Sequence, residues 1–350
     1  MRKILIYFAG FLMLFFIIPA ICTVTPAKET MQEVGASTDE GAQTKVDGEQ
    51  QENEQTTKEE QYDYQKYRTI KLLHTSTNEV EELNIDEYLY GVVASEMPAS
   101  FEIEALKAQA VVARTYTIYQ IINNSSKHEN ADMCDDFGCC QAWISKEERM
   151  SKWEAEQAEN YWNKIVEAVD STKGKIIAFN GQPINAFFHA NSGGVTESSL
   201  NIWGGIDYPY LKSVETAGEE GYTQYASEVI LTKKELLDKL QAEHADCTID
   251  FAVQDSINIL EYTTSGRVKT IKFGNKEIAG TEARTLLGLK STNFTFKIEG
   301  DNITFTVKGY GHGVGMSQTG ADSLAKSGSN YEAIVKHFYT NVEIIEVNSL

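Results

Sequence analysis

Apolar and polar positions divide this chain into three stretches. Residues 4–22 form an unbroken apolar run behind Arg2 and Lys3. Residues 23–67 are polar, rich in Glu, Gln, Thr and Gly, and their first aromatic is Tyr62. Beyond them the apolar positions become periodic. The first run is long enough to cross about 30 Å of hydrocarbon as a helix. It predicts a single-pass anchor in the cell membrane, with the basic N-terminus in the cytoplasm and the rest outside. A cleaved signal peptide is the competing reading, but its apolar core usually spans about 7–15 residues before a small-residue cut site. The run here is longer, and Ile21 is large for the position before a lipoprotein cysteine at Cys22.

The periodic part predicts an α+β fold over residues 68–350, with a helical region combined with antiparallel β elements. Asn84 caps a helix opening at Ile85, with Glu87 completing a capping box. Leu89, Val92 and Val93 give that helix its apolar face. It must end near Glu96, because Pro98 cannot continue it and disfavours helix before it. Ser100 then caps a second helix, in which Ile103, Leu106, Ala110, Ala113 and Thr117 recur at helical spacing. Residues 67–75 read as a strand, 146–169 as a helix-rich stretch carrying Trp153 and Trp162, and 175–179 with 184–189 as a hairpin around Gly181. Residues 231–244 and 331–338 read as helices. Residues 257–262, 268–273, 295–299 and 303–308 read as strands, a β-rich subregion of about 250–310.

Charge refines this picture. The chain of 350 residues is 42% apolar with a net charge of −20. Residues 23–67 carry eleven acidic residues against four lysines, too polar to offset their ordering entropy, so they predict a flexible acidic linker. The folded part keeps a net charge of −15, which argues against nucleic acid or an anionic membrane surface as a partner. An anionic ligand must then be held by a few placed cations. Five cysteines imply no disulfide framework: Cys22 belongs to the apolar run, Cys247 is alone, and Cys134, Cys139 and Cys140 lie together.

Glu96 is the first candidate for chemistry. It hangs from a helix end in a tight corner, where burial raises a carboxyl pKa for acid work; a surface glutamate is the alternative. The segment around it, YGVVASEMPASFEIEALKAQAVVARTY, closely resembles the stage II sporulation protein D family of membrane-anchored lytic transglycosylases. Two further blocks, FFHANSGGVTESSLNIWGGIDYPYLKSVET and GYGHGVGMSQTGADSLAKSG, resemble the same family, in order, from about residue 70 to the C-terminus.

The resemblance implies cleavage of the β-1,4 bond between N-acetylmuramic acid and N-acetylglucosamine in peptidoglycan, with Glu96 as the single acid/base. One carboxyl suffices because the muramoyl C6 hydroxyl, not water, is the nucleophile; ordinary glycosidases need two. It implies substrate roles for Arg114, 18 residues on, as a bidentate partner for a lactyl carboxylate on peptide-free glycan, and for Lys212. His189, Ser192, His312 and Gln318 are further candidates to line the site. A Ser192–His189–Glu197 triad is disfavoured, since residues so near in sequence rarely reach triad geometry. His128, Cys134 and Cys140 offer zinc-type ligands. Some resembling members bind zinc here, with Cys139 a fourth ligand or a bystander; a Cys134–Cys139 or Cys134–Cys140 disulfide is the alternative. The metal would be structural. The resemblance further implies forespore engulfment beside a sporulation amidase/endopeptidase and a third membrane protein. A zinc amidase of the same wall and a non-catalytic, amidase-activating module are the rival functions.

Overall fold

The computed structural model describes residues 67–123, 127–205 and 207–350. The expected anchor and all of the expected linker except Tyr67 lie outside these residues. Tyr67 itself is buried in the main core. Among the described residues no helix is long and apolar enough to cross a membrane. The fold is a mixed α+β architecture with mainly antiparallel sheets.

The chain opens with a hairpin of β1 (Thr69–His74) and β2 (Glu79–Asn84), paired from Thr69↔Asn84 to His74↔Glu79. Asn84 closes β2 and caps α1 (Ile85–Glu96), its side chain accepting from Asp86 N at 2.9 Å. The acceptor thus serves the second helical amide rather than forming the expected box with Glu87. Leu89, Val92 and Val93 are fully buried, as the periodicity requires. Met97 is extended, with its N–H on Val93 O, so α1 ends at Glu96, two residues before Pro98.

α2 (Ile103–Ile122) is the central helix, buried over most of its length. Its N-cap is Glu102 rather than Ser100, and the Glu102 side chain makes no capping bond. The cap comes from far along the chain: Glu102 N donates to Asp322 Oδ1 at 2.6 Å. β3 (Met133–Cys134) then runs parallel to β1. The 146–169 stretch forms two helices, α3 (Lys146–Ser151) and α4 (Ala155–Asp170).

β4 (Lys175–Phe179) turns through Asn180 and Gly181, both at positive φ, into the short β5 (Gln182–Pro183). The expected hairpin ends there. β6 (Phe188–His189) instead pairs in parallel with a later strand, Met316–Ser317. α5 (Ser199–Trp203) follows.

A second apolar cluster, separate from the main one, is built by residues 231–307. Its elements are β7 (Ala226–Thr232), α6 (Lys233–Glu243), β8 (Ile257–Tyr262), β9 (Val268–Phe273), β10 (Lys276–Ala279), α7 (Gly280–Leu287), β11 (Phe294–Glu299) and β12 (Asn302–Lys308). Leu231 and Thr232, expected in a helix, end β7, and Thr232 caps α6 through a capping box with Glu235. The chain returns to the main core through β13 (Met316–Ser317), α8 (Gln318–Lys326) and α9 (Tyr331–Phe338). It does not finish in α9: β14 (Glu343–Glu346) pairs antiparallel with β4.

Candidate active site

Glu96, the last residue of α1, is half-buried. Ala142 N donates to Glu96 Oε1 at 2.7 Å and Gln318 Nε2 to Oε2 at 3.4 Å. Burial raises its pKa above the ordinary glutamate value, and the two donors only partly oppose that. Both partners are neutral. The carboxyl is therefore held in place while still able to carry a proton at a higher pH than a solvated glutamate.

The Ala142 amide is placed by its own segment. Gln141 is buried, with Nε2 donating to Tyr88 OH at 3.1 Å and to Thr117 Oγ1 at 3.0 Å, which pins the loop to α1 and α2. Trp143 lies over Gly91, where a Cβ would stand 2.2 Å from Trp143 Nε1. Only glycine lets α1 and this loop approach so closely.

The same loop brings the Cys/His cluster together. Ligand atoms of His128, Cys134, Cys139 and Cys140 lie within 4.8 Å of one another. His128 Nε2 is 3.6 Å from both the Cys139 and Cys140 sulfurs, which are 3.9 Å apart. Such separations match the edges of a tetrahedron whose centre lies about 2.1–2.3 Å from each donor. Three thiols and one imidazole in that arrangement fit Zn²⁺, and Cys139 joins the three expected ligands. All three cysteines are free thiols here.

The second and third sequence blocks interlock behind Gln318. Glu219 is fully buried and accepts from Ser192 N, Ser317 Oγ and Thr319 Oγ1 on one oxygen, and from Ser192 Oγ and Gly194 N on the other. Gly193 and Gly309, both at positive φ, cross so closely that a Cβ on Gly309 would lie 2.8 Å from Asn191 O. Ser317 caps α8, presenting Gln318 to Glu96. His189 Nδ1 donates to Val314 O, while His312 Nδ1 accepts from Val314 N. Burial pushes His189 down to about 3 and His312 well below its ordinary value, with Arg284 adding to both shifts. Both imidazoles are neutral and serve as braces.

Of the expected site residues, only Gln318 meets Glu96. Arg114 is fully buried, with its guanidinium donating to Val169 O at the end of α4, Thr172 O just beyond it and Lys175 O at the start of β4. A substrate carboxylate has no approach to it, so its role as a lactyl reader is withdrawn. Ser192 is likewise fully buried and bonded to Glu219, and His189 is 4% exposed, so neither offers a surface contact. Lys212 is half-buried and ion-paired with Asp207 at 3.1 Å. Sequence reasoning missed Ala142 and Glu219. No local pattern flags a backbone amide or a glutamate whose partners lie 25–100 residues away.

Residues 73–179, which contain Glu96 and the Cys/His cluster, match the family model Stage II sporulation protein. The chain is 37% identical over 283 residues to Stage II sporulation protein D of Bacillus amyloliquefaciens, covering 80% of each. It is equally similar, at the same coverage, to Stage II sporulation protein D of Bacillus subtilis. This chain belongs to the stage II sporulation protein D family. A more distant relative, Amidase enhancer of Bacillus subtilis, is 29% identical over 300 residues, 72% of this chain and 39% of the relative. Among the described residues, Glu96, Ala142 and Gln318 form the one place where a raised carboxyl meets donors from two separate segments.

Proposed function

We propose that this member of the family is a peptidoglycan lytic transglycosylase with Glu96 as its single acid/base. The observation that carries the reading is the pairing of a half-buried carboxyl with two neutral donors. The protonated Glu96 gives its proton to the glycosidic oxygen as the C1–O bond breaks. The resulting carboxylate takes the proton of the muramoyl C6 hydroxyl, and O6 closes onto C1. The products are a free 4-hydroxyl and a 1,6-anhydro-muramoyl end, and Glu96 is protonated again. Neutral surroundings suit a group that must occur in both states. Mass spectrometry of digested peptide-free glycan tests the reading: anhydro ends support it, and hydrated reducing ends overturn it.

In this reading His128, Cys134, Cys139 and Cys140 hold a zinc ion that stabilises the loop carrying Ala142. Four protein donors leave no open coordination position, which favours a structural role over zinc-amidase chemistry. The chain would act from the cell membrane, its folded part outside, on glycan strands during engulfment, with a wall amidase/endopeptidase and a third membrane protein. The similarity to an Amidase enhancer favours one second reading, a non-catalytic module that activates an amidase. That reading requires no carboxyl at position 96, and Glu96→Gln would then leave amidase stimulation intact.

A further inference from the structure

A cluster of exposed rings and unpaired cations adjoins the interlocked blocks. Trp203, at the end of α5, is 49% exposed, and its ring centre lies 4.6 Å from that of Phe187 and 5.2 Å from that of His312. Phe187 directly precedes β6, which is paired with the strand that leads into Gln318. Tyr310 is also exposed, two residues before His312. Lys290 Nζ lies 4.3 Å above the Tyr310 ring, and Gly311 N donates to Lys290 O. Arg284, on α7, is half-buried and close enough for its charge to act on His189, His312 and Tyr310.

Among the described residues no ion pair engages Arg284 or Lys290. The neighbouring carboxylates are already bonded: Glu219 to the blocks, and Glu197 to Ser198 N, Asn201 and Ser265. Both cations thus stand without a carboxylate partner among the described residues, in a chain of net −20 where long-range attraction for an anion is absent and local cations must supply it.

We propose that Trp203, Tyr310, Arg284 and Lys290 form a subsite for an anionic sugar of the glycan strand, a muramoyl residue with a free lactyl carboxylate. The sugar's C–H face lies on Trp203, an exposed ring of the kind that marks a ligand surface. The carboxylate is taken by the Arg284 guanidinium, which matches it in bidentate geometry, and by Lys290. This inference rests on the glycan-cleaving reading, and it transfers to Arg284 and Lys290 the role that Arg114 cannot perform.

The test uses the full chain carrying Glu96→Gln, so that binding is read without turnover. Binding of peptide-free glycan strands is compared with that of chitin oligosaccharides of equal length, which share the β-1,4 backbone but lack the carboxylate. The expected result is a preference of about tenfold for the muramoyl strands, a factor typical of one charge-assisted contact. Arg284→Gln and Lys290→Gln should each erode that preference without changing chitin binding, and Lys290→Glu should reverse it. Trp203→Ala should weaken both ligands alike. Equal affinity for the two glycans, no binding of either, or a preference that survives the charge variants would overturn the proposal. Absence of anhydro product from the unaltered chain, with an intact preference in the Glu96→Gln chain, would sink the catalytic reading and leave the subsite standing.

Discussion

Glu96 Oε1 and Ala142 N are joined by a 2.7 Å hydrogen bond, and Ala142 lies two residues beyond Cys140. The carboxyl's position is thus set by the loop that the Cys/His cluster closes. Gln141 and Trp143, on either side of Ala142, fasten that loop to α1 and α2. One short segment couples the cluster to the candidate acid.

Replacing Glu96 by Gln should preserve the fold and glycan binding while lowering cleavage by at least about 10²-fold, the contribution of a positioned proton donor. The amide keeps an acceptor for Ala142 N. Glu104→Gln is the contrasting variant. Glu104 accepts from Lys107 Nζ at 2.7 Å and from Tyr331 N at 2.8 Å, bracing α2 against α9. That change should lower the melting temperature and spare kcat. Product release from strands, with thermal melting alongside, separates the two; the reverse outcome would move the acid to α2.

The pH dependence follows from the raised Glu96 pKa. A carboxyl whose folded value lies above its unfolded value, about 4.3, binds its proton more tightly in the native state. Its contribution to stability is full below the unfolded value and falls as pH rises through the folded one. Glu96→Gln should therefore melt higher than the parent at neutral pH, with the difference vanishing below about pH 4. In the same window kcat/KM of the parent should fall as pH rises, since the acid must begin protonated. A difference in melting that grows on acidification would contradict the assignment.

Local signals explain which features were legible in the chain. The extent of α1, its buried Leu89, Val92 and Val93, and its end before Pro98 follow from periodicity and proline geometry. Glu96 was therefore placed at a helix end from sequence. The cap of α2 was not, because Asp322 supplies it from 220 residues away. Likewise 184–189 has strand-like composition, but Phe188–His189 within it pair with Met316–Ser317 rather than with the adjacent β4. Arg114 shows the same limit: its spacing from Glu96 is a sequence property, while its burial under the end of α4 is a tertiary one.

Arg114→Lys tests that structural role. A lysine cannot reach the three carbonyls that the guanidinium spans, and their unpaired, buried oxygens should cost about 3 kcal/mol. Denaturant unfolding should show the loss. The ratio of activities on peptide-free and peptide-bearing strands should not change, and a change in that ratio at unaltered stability would restore Arg114 to the substrate.

Zinc binding is checked most directly by content and melting together. Protein purified under reducing conditions should carry about one zinc per chain, the stoichiometry of one tetrahedral site. Because the ligands are brought together only by folding, binding free energy becomes folding free energy. Chelation should therefore lower the melting temperature, and so should Cys134→Ser, Cys139→Ser and Cys140→Ser. Cys139 is the discriminating position: its sulfur lies as close to His128 as that of Cys140, so its loss should match theirs. Cleavage should fall with zinc content as well, because the Ala142 amide that fixes Glu96 sits at the end of the same loop. Cys247→Ser, in the second apolar cluster, should leave zinc content untouched. Absence of metal together with a mass two hydrogens below the reduced chain would establish a disulfide in its place.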